Sequence, residues 1–124
     1  MPAADPASIK GYHAHVYYED DASRAVAAEL RAELEANFDV ELGRWRDEPV
    51  GPHPKPMYQV AFGPAEFPRM VPWLMLNRRG LTILVHPETG DDVPDHRDYP
   101  LWLGEVLDLD MEFLERFVRE NAGS

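Results

Sequence analysis

Apolar residues along this chain recur at two spacings, and the order in which the spacings alternate leaves few folds open. Residues 12–18 (YHAHVYY) are aromatic and β-branched and run into Glu19, Asp20 and Asp21, which predicts a strand followed by a capped helix start. Residues 22–37 carry Val26, Leu30 and Leu34 four apart with Ala27 beside them, the stripe of an amphipathic helix. In residues 38–45, Phe38, Val40 and Leu42 alternate with Asp39, Glu41 and Gly43, a strand period. Residues 47–56 (DEPVGPHPKP) are a stiff, proline-rich connection, and residues 57–62 (MYQVAF) predict a third strand. A second helix is expected from Gly63 and Pro64 to about Asn77, with Phe67, Met70, Val71, Leu74 and Met75 apolar and a bend at Pro72. Residues 81–86 (LTILVH) read as a buried fourth strand.

The order βαββαβ predicts an α+β, ferredoxin-like fold: a four-stranded antiparallel sheet with both helices on one face and the other face left over. Past it, residues 87–100 read as a polar loop and residues 101–107 as a short edge strand. Asp110 is expected to cap a last helix to about Glu120, a C-terminal helical extension. Residues 1–9 are expected to be a flexible N-terminus, and residues 10–124 one domain.

Charge and composition exclude several classes. Twenty-three Asp and Glu against 12 Lys and Arg leave a formal charge of -11, which repels phosphate backbones, so nucleic acid and anionic membrane are not expected partners. With no cysteine, any metal must be held by His, carboxylate or amide groups, and there is no disulfide framework. No signal-peptide or membrane-spanning stretch is visible, and a soluble cytoplasmic protein is expected. Gly-rich phosphate loops and Gly-x-Ser-x-Gly elbows are also missing.

The five histidines, His13, His15, His53, His86 and His96, all fall outside the predicted helices. His13 and His15 leave the same face of a strand about 6.5–7 Å apart at Cα, close enough to reach one ion. If strands one and four are antiparallel neighbours, His86 arrives beside them. Taken singly, each is as well explained as an ordinary surface or half-buried histidine. A nitrogen-rich site with open positions suits Fe(II), Zn(II) or another borderline first-row ion. His53, held between Pro52 and Pro54, is a candidate acid, base or ligand, and equally a bystander on a rigid loop. His96 is a candidate supporting or substrate-facing group. Ten arginines against two lysines make Arg44, Arg46, Arg78 and Arg79 candidates for holding an acidic substrate. Tyr17 shares the face of His13 and His15, and Gln59 or Tyr58 is placed to line it.

The set His13-Ala-His15-Val-Tyr17-Tyr18, Pro49-Val50-Gly51-Pro52-His53-Pro54, Pro72-Trp73-Leu74 with Asn77-Arg78, His86-Pro87-x-Thr89-Gly90-Asp91 and Asp95-His96 resembles the DOPA 4,5-dioxygenase family. The resemblance implies a small single ferredoxin-like domain and extradiol cleavage of a catechol such as DOPA by Fe(II) and O2, with Zn or another divalent ion able to take the same site. It implies His13, His15 and His86 as the metal set, His53 as proton shuttle, and His96 as its second or as a substrate contact. At position 13 the family pattern carries Asp as readily as His, which leaves His53 as an alternative third ligand. It further implies a carboxylated catechol whose carboxylate one of the arginines holds, with Arg44 and Arg78 the expected substrate contacts beside Tyr17 and Gln59 on the strand face. A homodimer is expected to cover the open sheet face, on which Leu84 sits. The competing expectations are a non-catalytic metal or small-molecule binding module, and a metal-free ring-directed enzyme with His53 as base.

Overall fold

The computed structural model describes residues 2–121. Its elements are β1 (Gly11–Tyr17), α1 (Asp21–Asn37), β2 (Glu41–Leu42), β3 (Met57–Phe62), α2 (Phe67–Asn77), β4 (Ile83–Glu88), α3 (Asp92–Arg97), β5 (Leu101–Leu103) and α4 (Met111–Asn121). One sheet in the order β2-β3-β1-β4-β5 joins all the strands, with every neighbouring pair antiparallel.

α1 starts where the acidic run predicts. Asp20 accepts from the Ser23 backbone N–H at 2.8 Å, and Ser23 Oγ accepts from the Asp20 N–H at 3.0 Å, so two otherwise orphaned donors are satisfied reciprocally. Its stripe of Ala27, Leu30 and Leu34 is fully buried with Met70, Val71 and Leu74 of α2 against Ala14, Val16, Val60, Ile83 and Val85 of the sheet. Burial of each leucine stabilises the fold by roughly 1.5–3 kcal/mol. Tyr58 lies on this helix face, its hydroxyl donating to the Ala27 carbonyl at 2.8 Å, so of the two β3 candidates only Gln59 faces the other way.

The structure corrects the sequence reading in several places. The sheet has five strands, not four, because Leu101–Leu103 pairs with β4 through Ile83, Leu84 and Val85. β5 stops at Gly104, whose φ of 93° no side chain favours and where a Cβ would meet Arg78 Nη1 at 2.9 Å. β2 shortens to two residues: Gly43 sits directly on Gln59, and pairing resumes only as a single bridge between Arg46 and Met57. The stretch expected to be a polar loop contains α3, so His96 lies in a helix. The second sheet face is covered within the chain: Leu84 is fully buried with Tyr17 and Met57, and Trp102, Leu107 and Leu109 pack on them. Leu84 therefore gives no reason for a partner subunit.

Ahead of β1, Pro6–Ser8 forms a single 3-10 turn capped by Asp5, and the Lys10 N–H donates to the Glu88 carbonyl. No helix among the described residues is long and apolar enough to cross a membrane.

Candidate functional site

Strand register brings the histidines together. His13 is directly opposite His86 across the β1–β4 pair, and His15 lies between Gln59 on β3 and Leu84 on β4. With a period of two, His13, His15, Tyr17, Gln59, Leu84 and His86 all project on the face away from α1 and α2. One ring nitrogen from each of His13, His15 and His86 lies within 4.8 Å of the others. His86 is fully buried, His15 nearly so, and His13 is half-buried at the rim.

A loop and a short helix complete the cluster. Gly51, at φ 58°, turns the proline-rich segment so that His53 is buried with its ring centre 4.2 Å from that of His15. The Asp110 N–H donates to the Pro52 carbonyl at 2.8 Å, fastening this loop to the start of α4. α3 sets the His96 ring 4.0 Å from that of His86 and 6.4 Å from those of His15 and His53. The corner holding α3 is built by Asp95, fully buried, whose carboxylate accepts from the Thr89 N–H at 2.9 Å and the Thr89 hydroxyl at 2.6 Å.

Hydrogen bonds to groups that only accept assign ring protons. His86 Nδ1 donates to the Pro87 carbonyl at 3.0 Å and His96 Nδ1 to the Asp92 carbonyl at 2.7 Å, which leaves both Nε2 atoms bare. His13 Nδ1 is 3.0 Å from Glu88 Oε1, the carboxylate support typical of a metal-bound imidazole. His15 Nε2 is 3.1 Å from His86 Nε2, while His15 Nδ1 is buried with no hydrogen-bond partner among the described residues. Two nitrogens about 2.1 Å from one ion and at right angles to each other lie roughly 3.0 Å apart. The donor set therefore fits a divalent first-row ion held by His13, His15 and His86, with an oriented tautomer on His86 and an anionic partner behind His13.

Burial keeps His15, His53 and His86 neutral. The His86 ring is pushed down to about 3 and His53 to about 4, chiefly by desolvation and then by the neighbouring His96, and His15 falls well below its ordinary value for the same first reason. Burial pushes the Tyr17 hydroxyl up, so it remains a phenol. Glu88 is held down first by its hydrogen bond from His13. The unfolded chain takes up protons near pH 6.5 that these folded imidazoles refuse, so stability is full above that value and is lost as pH falls from about 6.5 towards 4. The slope is roughly 1.4 kcal/mol per pH unit for each such histidine. Urea midpoints of the metal-free protein should therefore drop steeply between pH 7 and pH 5. A flat profile would contradict the neutral cluster.

Not every candidate reaches the site. Tyr17 and Gln59 do. Arg44 is exposed beyond β2, and Arg46 is bridged to Met57. Arg78 donates to the Leu81 carbonyl at 2.8 Å, at the opposite end of β4 from His86, and Arg79 pairs with Glu33 of α1 at 2.7 Å. Sequence reasoning missed Glu88, although the strand period puts it on the face of His86, and Asp95, whose role depends on a contact with Thr89 that no periodicity announces. Substituting Glu88→Gln should weaken metal binding by roughly 10–100-fold, read by competition with a chelating dye. The cluster opens at His13 into a groove of about 390 Å³ lined also by Lys10, Tyr12, Glu41, Phe62 and Glu88. A cavity of about 570 Å³ under the N-terminal turn touches His86 but none of the other histidines.

Comparison with known proteins gives this cluster a context. The chain is 33% identical over 126 residues to an uncharacterized 21.2 kDa protein of Botryotinia fuckeliana, covering 92% of this chain and 69% of that one. It is 34% identical over 111 residues to the DOPA 4,5-dioxygenase of Amanita muscaria, covering 83% of this chain but 49% of that enzyme. A crystal structure from Nostoc punctiforme, described as a candidate dioxygenase, superposes with a TM-score of 0.90 at 61% identity, covering 93% of this chain and 99% of that one. A sequence profile of the Dopa 4,5-dioxygenase family matches residues 12–113, a span that takes in every histidine of the cluster. The chain belongs to the Dopa 4,5-dioxygenase family.

Proposed function

We propose that this protein is an extradiol dioxygenase that opens the ring of a catechol such as DOPA, with both atoms of O2 ending in the product. The observation that carries this reading is the pair of facing Nε2 atoms of His15 and His86, 3.1 Å apart, with His13 as third donor. Three protein donors on a first-row ion leave positions for two further ligands. Fe(II) held by these residues would supply open positions for a catechol and dioxygen and a route for electrons between them. His13, His15 and His86 hold the ion, Glu88 orients His13, and the buried faces of Tyr17 and Leu84 keep bulk water from the floor of the site. His53 and His96 flank the ion and handle substrate protons, and Gln59 beside His15 contacts the substrate.

In this reading the first four strands form a ferredoxin-like unit, supported by their interleaving as β4-β1-β3-β2. The protein is a cytoplasmic homodimer in which Met75 and Leu76 of α2, both exposed, are covered. The decisive experiment is anaerobic reconstitution with Fe(II), addition of DOPA or caffeate, and admission of oxygen. A yellow ring-opened product with matching oxygen uptake is the expected result. Tight metal binding without either, across a catechol panel, would make the protein a binding module. Turnover that survives chelators would favour the metal-free enzyme.

A further inference from the structure

We propose that Tyr17 is a positioning residue that sets the proton on His53, so that His53 is the hydrogen-bond donor of the site and His96 its proton acceptor. The chemistry assigned to these two histidines rests on the dioxygenase reading; the proton positions do not.

Tyr17 is 2% exposed and cannot turn away, since its ring stacks on Trp102 at 6.2 Å and 21° and packs with Met57 and Leu84. Its hydroxyl has His53 Nδ1 as hydrogen-bond partner, at 2.7 Å. A buried phenol has one proton to place, and leaving it without an acceptor costs about 1–3 kcal/mol. If His53 carried its proton on Nδ1, the phenol oxygen would accept it, and the phenol proton, rotated away, would have no acceptor among the described residues. The arrangement that satisfies both is Tyr17 O–H donating to a bare His53 Nδ1. A neutral imidazole has one N–H, so that of His53 is then on Nε2.

His96 is set the other way. Its Nδ1 lies 2.7 Å from the Asp92 carbonyl, which can only accept, so Nδ1 carries a proton and the Nε2 of the neutral ring is bare. The two histidines outside the candidate ligand set thus flank it as opposite tautomers, one on a loop between prolines and one on a helix. On a catechol in the site, the O–H bond of a ring hydroxyl breaks as an N–H bond forms at His96 Nε2, giving an imidazolium on the half-exposed side of the cluster. His53 Nε2–H donates a hydrogen bond to substrate oxygen and transfers no proton in that step. Without the Tyr17 hydroxyl, His53 is free to take either tautomer and donates only part of the time.

The test is long-range ¹H–¹⁵N NMR of the ring nitrogens in the full chain loaded with diamagnetic Zn(II), for wild type and Tyr17→Phe, which keeps the stack on Trp102. In wild type, His53 should report Nε2–H and His96 Nδ1–H. In Tyr17→Phe, His53 should move towards a mixture while His96 and the metal content stay as they were. With Fe(II) and a catechol, kcat should fall about tenfold or more with little change in KM. A wild-type His53 protonated on Nδ1, a His53 Nε2 bound to the metal, or a His53 signal indifferent to Tyr17→Phe would each overturn the proposal. A wild-type protein inert towards every catechol, but with the expected spectra and the expected Tyr17→Phe shift, would overturn the dioxygenase reading and leave the role of Tyr17 standing.

Discussion

His86→Ala is expected to leave a folded protein that no longer retains a divalent ion on dialysis and no longer consumes oxygen with a catechol. His86 is opposite His13 in the β1–β4 register and its Nε2 is 3.1 Å from that of His15, so its removal takes a donor from the middle of the set. Losing a ligand should cost more than the roughly 10–100-fold in affinity that follows loss of a supporting hydrogen bond. His15→Ala should behave alike. His96→Ala is the contrast: the ion stays, and kcat falls by roughly 10²–10⁴, the usual contribution of a placed acid or base. Metal content by plasma mass spectrometry beside circular dichroism separates these outcomes from unfolding. Full retention of metal by His86→Ala would sink the ligand assignment.

The second large effect is expected at Asp95, far less conspicuous in the chain than any histidine. Its carboxylate is fully buried and receives both the backbone N–H and the hydroxyl of Thr89. Asp95→Ala removes two charge-assisted bonds and strands a buried donor, a loss of about 3 kcal/mol, which for a domain of this size lowers the melting temperature by roughly 10 °C. Because the pair ties α3 to the end of β4, the His96 ring should also drift from its place 4.0 Å from His86. Metal affinity should change little, since His13, His15 and His86 stand on β1 and β4. Asp95→Asn should recover only part of the stability, because one amide oxygen takes the place of two acceptors. A melting temperature unmoved by Asp95→Ala would show that α3 is held by its packing against α4 instead.

Much of the architecture is legible locally. β3 coincides with residues 57–62, α1 differs from its expected bounds by one residue, and the acidic run of Glu19, Asp20 and Asp21 marks where its cap forms. These segments are long and periodic, so their burial pattern survives any tertiary arrangement. α3 escaped because a six-residue helix shows fewer than two turns of pattern and contains Pro94. β2 was overdrawn because the alternation of Phe38, Val40 and Leu42 with Asp39, Glu41 and Gly43 spans six residues, whereas only Glu41 and Leu42 pair in register with β3. The arginines were drawn towards an acidic substrate by composition and by the family resemblance. Their actual partners, a carbonyl at Leu81 and a carboxylate at Glu33, come from turns and helices that composition does not describe.

The candidate site divides in the same way. That His13, His15 and Tyr17 share a face, and that His86 ends a buried strand, follow from the amino-acid order, because the two-residue period of a strand is a local property of the backbone. That His13 meets His86, that His53 and His96 close over them from a loop and a short helix, and that Glu88, Asp92 and Tyr17 decide which ring nitrogens are bare belong to the tertiary structure. Those relations join residues as distant in the chain as His13 and His86, and depend on register and loop closure, which no local pattern encodes.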